Sequence, residues 1–177
     1  MKTVIAIDGP AASGKSSVAR ELAGRLQYAY VNSGAFYRGI TWWILHTQTD
    51  PGSADEVAAV ITRTKLESGY QDHDAYLLLD GRDATPNLRD DEVNRNVSVV
   101  SRVPAVRECL MAHLHKLAEE SDIVMEGRDI GSVVFPDTPY KFYIDASPEV
   151  RKQRRQAQGQ TDEIALRDRI DSSRPNA

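Results

Sequence analysis

The sequence predicts an α/β fold in which a parallel sheet is flanked by helices. Short apolar runs typical of buried strands alternate with segments of helical period, and a glycine-rich loop lies between the first such strand and helix. At 177 residues, the chain is long enough to bury one substantial core. We therefore expect a single domain over 1–177 that carries a small insertion between core elements.

The first elements alternate strand and helix. Residues 2–8, KTVIAID, predict a strand, and residues 16–26, SSVARELAGRL, predict a helix with apolar side chains at helical spacing. These apolar positions are Val18, Leu22 and Leu26. Residues 28–32, YAYVN, predict a second short strand, and residues 34–48, GAFYRGITWWILHTQ, predict a second helix that is mostly buried.

The alternating pattern of strand and helix is interrupted between about residues 50 and 95. A loop and the start of a helix are predicted at 49–57. The segment DAYLLLDGRDAT at 74–85 predicts a pair of strands joined by a turn at Asp80-Gly81. We interpret this stretch as the insertion.

The rest of the chain returns to the alternating pattern. Residues 103–121 predict a long helix, because Pro104 stands at its start and apolar residues form one stripe along it. The stripe consists of Val106, Leu110, Leu114 and Leu117. The apolar runs DIVMEG at 122–127 and YKFYIDA at 140–146 predict buried parallel strands. The tail from residue 147 is polar, helical in pattern and rich in arginine.

Composition and charge exclude several classes of protein. A net charge of -4 and a pI near 5.6 argue against a protein that binds duplex nucleic acid. The single cysteine, Cys109, cannot form an intrachain disulfide and is expected to be a core thiol on a helix. No apolar run approaches the ~18 residues of a membrane span, and no signal peptide is recognisable. We therefore expect a cytoplasmic protein that contacts neither membranes nor nucleic-acid polymers.

The loop after the first strand has the pattern G-x-x-x-x-G-K-S, which is typical of phosphate binding. Gly9 and Gly14 allow the backbone to wrap closely around an anion, and the positive end of the following helix stabilises its charge. Lys15 can reach the β- and γ-phosphates of a nucleotide, and the Ser16 hydroxyl can ligate Mg²⁺. The predicted nucleotide-binding residues are Gly9, Pro10, Ala11, Ala12, Ser13, Gly14, Lys15, Ser16 and Ser17.

A phosphate loop alone does not identify the reaction, because GTPases, transport ATPases and small-molecule kinases all carry one. The sequence contains no Asn-Lys-x-Asp stretch for guanine recognition and no obvious regulatory switch segment. A chain of 177 residues also leaves little room for mechanical coupling. These observations favour a kinase that phosphorylates a small acceptor.

Four later stretches carry candidate acceptor-binding side chains. NSGAFYR at 32–38 follows the second strand, where the sheet edge opens onto a cleft. SVVSRVPAVRECL at 98–110 and MEGRDIGSVVFPD at 125–137 bring polar side chains to a helix start and to a strand end. In LRDRIDSSR at 166–174, charged residues are spaced i, i+4 and i+7, on one helical face. These three are Arg167, Asp171 and Arg174.

Taken together, these segments resemble the cytidylate kinases, the CMP/dCMP kinases of the nucleoside monophosphate kinase family. The resemblance covers essentially the whole chain, and DGPAASGKSS, SGAFYR, EGRDIGSVVFPD and DASPE are specific as a set. It implies a five-stranded parallel sheet, a monophosphate-binding insertion at about 50–95 and an arginine-rich lid at about 151–167. It also implies transfer of the ATP γ-phosphoryl group to CMP or dCMP in the presence of Mg²⁺, by an enzyme that is typically a monomer.

The resemblance also implies roles for individual residues. Arg38 and Arg128 would hold the phosphate of the acceptor, Ser33 would line its pocket, and three residues would face the cytosine. These three are Ser98, Arg107 and Asp129. Arg167 and Asp171 would reach the ribose, and Arg174 would close on the monophosphate or its base. The lid arginines that would face ATP are Arg151, Arg154 and Arg155. Of these, we expect Arg154 to contact ATP. The implied catalytic residues are Lys15, Arg128, Asp129 and Arg174.

The sequence leaves alternatives open. The acceptor could instead be UMP, AMP or shikimate, or the chain could bind a nucleotide without turnover, and Arg151 and Arg155 could be solvated surface residues. The chain departs from the family pattern in three places. It has Asn32 where the family commonly has Asp, its predicted lid is shorter, and it ends at Ala177, before the final strand and helix of its relatives. We therefore expect weak adenine discrimination or low stability. The preference between CMP and dCMP stays open.

Overall fold

The computed structural model describes residues 2–157, which fall into two compact units. The first unit comprises 2–32 and 118–157, and the second comprises 33–117. The predicted insertion at about 50–95 lies within the second unit, and its monophosphate-binding role stays a prediction.

Strands and helices follow one another along the described part of the chain. They are β1 Val4–Asp8, α1 Lys15–Leu26, β2 Ala29–Asn32, α2 Ser33–His46, α3 Ala54–Arg63, β3 Leu66–Gln71, β4 Asp74–Leu79, β5 Arg82–Asp83, α4 Asp91–Val100, α5 Pro104–Glu120, β6 Ile123–Gly127, β7 Tyr140–Tyr143 and α6 Pro148–Ala157. A 3₁₀ turn spans Thr85–Asn87, and a π-helical turn spans Ile130–Val134. None of the described helices is both long and apolar enough to cross a membrane.

The first unit contains a parallel sheet with the strand order β2-β6-β1-β7. β6 lies in its interior and is buried along its whole length, Glu126 included, as the largely apolar run at 122–127 predicts. β1 pairs with β6 so that Asp8 lies opposite Gly127, which brings the ends of both strands to the same edge. The predicted α/β fold with a parallel sheet flanked by helices is confirmed.

Helix α1 packs on this sheet through small residues. Ala19 and Ala23 are buried against Ile5, Ile7 and Val124, whereas Val18 is 47% exposed. The apolar period at Val18, Leu22 and Leu26 therefore predicts the helix correctly but does not mark its buried face. The alanines face the sheet because they have short side chains, which let the helix approach the strands closely.

The prediction that residues 140–146 form a buried strand is wrong in one respect. β7 pairs parallel with β1, as expected, but Phe142 is 53% and Tyr143 70% exposed. The reason is position: among the described residues, β7 is the last strand of the sheet order, and β1 is its only paired neighbour. Apolar composition alone cannot distinguish such a strand from an interior one.

The second unit combines helices with an antiparallel hairpin. The predicted turn at Asp80-Gly81 joins β4 to β5, and both residues have positive φ, as a tight turn of this kind requires. β3 pairs antiparallel with β4 through a second turn at Asp72-His73, which the sequence did not predict. Helix α4 was also not predicted.

Helix α5 has the buried stripe that its sequence predicts. The four apolar residues of the stripe are all essentially inaccessible to solvent. They are Val106, Leu110, Leu114 and Leu117. The expected core thiol, Cys109, instead is half-buried and lines a shallow cavity of about 380 Å³ together with His113 and Glu108. Burial raises the pKa of the Cys109 thiol, so it stays protonated at neutral pH.

Candidate functional site

The candidate phosphate loop spans 9–14, between the end of β1 and the start of α1. Gly9 has φ +155, and a Cβ on it would lie 2.0 Å from the carbonyl oxygen of Ile144. Only glycine fits this position, since no other residue could pass so close to the backbone after β7. The loop also turns back on itself, because the Ser13 amide donates to the carbonyl oxygen of Pro10 at 3.3 Å.

Helix α1 presents an N-terminus suited to an anion. Its N-cap residue, Gly14, lies in the left-handed region with φ 99 and makes no side-chain capping hydrogen bond. The first turn contains no acidic residue. Because the leading N–H groups of a helix have no partner within the helix, this end attracts negatively charged groups.

The loop contains an orphaned polar group. The Ser13 hydroxyl is buried, with the residue 4% exposed, and among the described residues it has no hydrogen-bond partner. A buried hydroxyl without a partner is costly, so a ligand with acceptor oxygens at this loop would relieve the cost. The Lys15 ammonium donates to the carbonyl oxygen of Pro10 at 3.1 Å and so lies along the same loop. The donors present therefore fit a nucleotide phosphate chain, and the exposed Ser16 hydroxyl beside them fits Mg²⁺.

Two arginines of α6 contact backbone carbonyl oxygens of the loop. Arg154 Nη1 donates to the carbonyl oxygens of Ala12 at 3.2 Å and Ser13 at 2.8 Å. Arg151 Nη1 lies 3.5 Å from the carbonyl oxygen of Ala11. The alternative that Arg151 and Arg155 are solvated is wrong, because they are only 6% and 5% exposed. The predicted contact of Arg154 with ATP stays a prediction.

Arg128 and Asp129 follow the end of β6, as the sequence predicts. Asp129 is buried and occupies the N-cap position of the π-helical turn Ile130–Val134, yet its side chain makes no capping hydrogen bond there. Instead, the Asp8 carboxylate accepts hydrogen bonds from the amides of Ile130 and Gly131, each at 2.8 Å. Asp8 was not predicted as a site residue, although an acidic residue directly before the glycine-rich loop is a visible signal.

The protonation of Asp8 reflects opposing effects. Burial raises the pKa of its carboxyl above the ordinary 3.8, and the negative charge of Asp129 raises it further. The two backbone N–H donors and the nearby Lys15 lower it, which limits the rise. The pKa of the Asp8 carboxyl therefore lies above its ordinary value, and the two backbone donors and Lys15 stabilise its ionised form.

A second unpredicted cluster lies beneath α1. The Tyr30 hydroxyl donates to Glu126 Oε1 at 2.6 Å, and Glu126 is only 2% exposed. The Arg20 guanidinium lies 4.3 Å from the centroid of the Tyr30 ring. The amide of Asn32 donates to the Tyr30 hydroxyl at 3.4 Å, a bond that an ionised Asp at this position could not donate. Burial, followed by the charge of Glu126, raises the pKa of Tyr30, so the hydroxyl remains a donor.

The predicted acceptor residues of the second unit lie on three of its helices. Ser33 and Arg38 are on α2, where Ser33 is buried and Arg38 Nη1 donates to the carbonyl oxygen of Gly34 at 3.1 Å. Ser98, which the sequence places near the start of the long helix, instead lies on α4, which packs against α2. Arg107 lies in the first turn of α5, where its amide donates to the carbonyl oxygen of Val103. All of these side chains except Ser33 are partly exposed.

Arg167, Asp171 and Arg174 lie outside the described residues, as does most of the predicted lid at about 151–167. Their proposed contacts with the ribose and the monophosphate therefore rest on sequence resemblance. Within residues 2–157, no three His, Cys, Asp or Glu side chains group closely enough to hold a metal ion by themselves.

Comparisons with known proteins agree with one another. The sequence model of a family described as cytidylate kinase matches residues 5–177. A cytidylate kinase from Mycobacterium leprae (strain Br4923) is 42% identical, and the alignment covers 97% of this chain and 80% of the relative. A cytidylate kinase from Rhodococcus opacus (strain B4) is 43% identical over the same shares of both chains. A bifunctional pantoate ligase/cytidylate kinase from Synechococcus sp. (strain WH7803) is 40% identical over 97% of this chain, which spans 38% of that protein.

Proposed function

Because the chain belongs to the cytidylate kinase family, we propose that it transfers the γ-phosphoryl group of ATP to CMP or dCMP. Family membership makes it an ATP-dependent phosphotransferase that acts on a nucleoside monophosphate. We further assign CMP or dCMP as the acceptor, Mg²⁺ as the metal ion, and individual residues to each substrate.

The donor side of the reaction is assigned to the phosphate loop. The loop amides at 9–14 and the N-terminus of α1 would hold the β- and γ-phosphates of ATP, and Lys15 would swing from the Pro10 carbonyl to these oxygens. Ser16 would hold Mg²⁺, which when bound neutralises part of the charge on the phosphates. The observation that carries this assignment is the buried Ser13 hydroxyl, which lacks a partner among the described residues in a loop next to an uncapped helix end.

The acceptor side is assigned to the residues that the family resemblance implies. Arg38 and Arg128 would bind the monophosphate, because the planar guanidinium fork binds phosphate oxygens in pairs. Ser98, Arg107 and Asp129 would recognise the cytosine edge, and Ser33 would line the same pocket. The remaining contacts are assigned to Arg167, Asp171 and Arg174.

These residue types suit phosphoryl transfer. The reaction needs no protein nucleophile; it needs the two substrates held in line and positive charge around the oxygens being transferred. Two polyanions repel each other, so Lys15 and the arginines must offset that repulsion before the phosphates can meet. Asp129 would act in recognition, by accepting from an amino group of the base, and not as a nucleophile.

A coupled ADP-release assay tests the proposal with CMP, dCMP, UMP, AMP and GMP as acceptors. We expect turnover with CMP and dCMP to exceed turnover with the other acceptors. Lys15→Ala should lower kcat/KM by about 100-fold or more, because it removes a charge from the transferring phosphate. Lys116→Ala serves as the matched control, since Lys116 is an exposed residue on α5 with no assigned role.

The assay can fail in different ways. A preference for UMP or AMP would overturn the choice of acceptor but leave the phosphotransferase assignment intact. Nucleotide binding by calorimetry without ADP release from any acceptor would indicate a binding module instead of an enzyme. Ser98→Ala, Arg107→Ala and Asp129→Asn should each alter the ranking of the bases, and an unchanged ranking in all three would contradict their assignment to the cytosine.

A further inference from the structure

The Asp8 carboxylate connects two segments that are distant in sequence but adjacent in the first unit. Asp8 is the last residue of β1, directly before the phosphate loop. Its Oδ1 accepts from the amide of Ile130 and its Oδ2 from the amide of Gly131, both at 2.8 Å. Its backbone carbonyl also accepts from the Ile144 amide at 2.8 Å. Asp8 therefore holds three segments at the edge of the sheet: the loop start, the turn after β6 and the residue after β7.

The turn receives from Asp8 what its own N-cap residue does not provide. The amides of Val133 and Val134 donate to the backbone carbonyl of Asp129, so the turn is closed within itself. Its leading amides have no such internal partner, and an acidic N-cap side chain would ordinarily accept from them. Asp129 occupies that position without making the bond. Asp8 makes it instead, with both oxygens.

Packing around the turn makes this link tight. Ile130 is buried, and a Cβ on Gly131 would lie 3.1 Å from Lys141 Cγ and 3.4 Å from Ala6 Cβ. The backbone at 131 thus lies against β1 itself. A shift of the turn would have to break two hydrogen bonds to a carboxylate and disturb this packing.

We propose that Asp8 is a positioning residue that fixes Arg128 and Asp129 relative to the phosphate loop. This inference rests on the proposed function, because the position of Arg128 and Asp129 affects the reaction only if these residues contact the acceptor as assigned. Asp8 itself contacts neither substrate in this proposal. Its carboxylate caps the turn in place of Asp129 and keeps the end of β6 at a fixed position relative to the phosphate loop.

The nearly isosteric substitution Asp8→Asn tests the proposal. An amide keeps one acceptor oxygen but places an NH₂ group against a backbone N–H donor, so one of the two hydrogen bonds is lost. We expect the KM for the acceptor to rise about tenfold, which is typical of the loss of one hydrogen bond to a charged group. The KM for ATP should change by less than about twofold, because the loop itself is unaltered.

Asp122→Asn is the matched control. Asp122 also accepts a hydrogen bond from a backbone amide, that of Thr3, but at the other end of the same strands. It should reduce stability without changing the KM of either substrate. An equal rise in both KM values in Asp8→Asn, or a loss of stability alone, as in the control, would overturn the positioning role.

A double-mutant cycle with Arg128→Ala gives a readout that a purely structural role would not produce. If Asp8 acts through this segment, Asp8→Asn should lower kcat/KM much less in the Arg128→Ala background than in the unmutated chain. Independent, additive effects on kcat/KM would contradict the proposal.

Hydrogen exchange separates this inference from the proposed function. Absence of CMP turnover in the unmutated chain would be a failure of the proposed function, and Asp8→Asn would then be compared using whichever nucleoside monophosphate is accepted. The amides of Ile130 and Gly131 should exchange slowly in the unmutated chain and faster in Asp8→Asn. Unchanged protection in the variant would overturn the inference whatever the acceptor. If the variant does not fold, fast exchange of these amides in the unmutated chain would overturn it as well.

Discussion

Replacing Gly9 with alanine should disable the phosphate loop. A Cβ at this position would lie 2.0 Å from the carbonyl oxygen of Ile144, whereas real Cβ atoms essentially never come closer than 3.0 Å to such an atom. The backbone of the loop or of the segment after β7 must therefore move by at least about 1 Å. Because the obstructing atom belongs to the backbone, no change of side-chain rotamer can relieve the clash.

The size of the effect follows from this displacement. A misplacement of about 1 Å near the reacting groups costs about 100-fold in rate, so kcat/KM for ATP should fall by about that factor. Holding a residue other than glycine at φ +155 adds backbone strain of about 1–3 kcal/mol to the folded state. We expect a corresponding loss of stability in chemical denaturation.

Calorimetric titration with ATP, steady-state kinetics and urea denaturation measure these effects. Gly24→Ala is the matched control, since Gly24 lies within α1 and a Cβ there would have no atom within 4 Å. That variant should bind ATP normally and gain up to about 1 kcal/mol of stability, because alanine favours a helix interior over glycine. If Gly9→Ala bound ATP within about twofold of the unmutated chain, the close approach of the loop to Ile144 would not be the reason for glycine at this position.

Two further predictions concern stability. Tyr30→Phe removes the hydroxyl that donates to the buried Glu126 and should lower the free energy of unfolding by about 1–3 kcal/mol. The control Tyr28→Phe, at a residue packed against the same core, should change the free energy of unfolding little, and equal effects of the two variants in urea denaturation would contradict this reasoning. Burial, followed by the positive charge of Lys116, lowers the pKa of His113 below the ordinary 6.5, so the unfolded chain binds the proton more readily in the window just below 6.5. The free energy of unfolding should therefore fall as pH drops from about 7 through the folded pKa, and His113→Gln should flatten that slope in urea titrations.

The local pattern was sufficient for much of the fold. The apolar run at 122–127 predicted a buried strand, and the stripe along α5 predicted its core face, because in both cases the local apolar pattern coincides with burial. The pair β4 and β5 followed from the turn chemistry of Asp80-Gly81. β3 was not predicted, because its segment, LESGYQ, lacks both apolar alternation and β-branched residues and depends on pairing with β4.

The candidate site was predictable to the extent that it is contiguous in sequence. The loop 9–17 carries its chemistry within nine residues, and the end of β6 marks Arg128 and Asp129 by their place after an apolar run. No spacing rule connects Asp8 to the amides of Ile130 and Gly131, which lie more than a hundred residues later. The contacts of Arg154 with Ala12 and Ser13 are equally distant.

Local residue patterns are enough to predict a phosphate loop between a strand and a helix, inside a parallel α/β fold, because those features depend on neighbouring residues and on period. Three other features became visible only in the folded chain: α1 buries alanines, Phe142 and Tyr143 on β7 are exposed, and Asp8 caps a distant turn. These outcomes depend on which strands and turns lie side by side. Such neighbours are set by the packing of the whole unit, which no local stretch of sequence encodes.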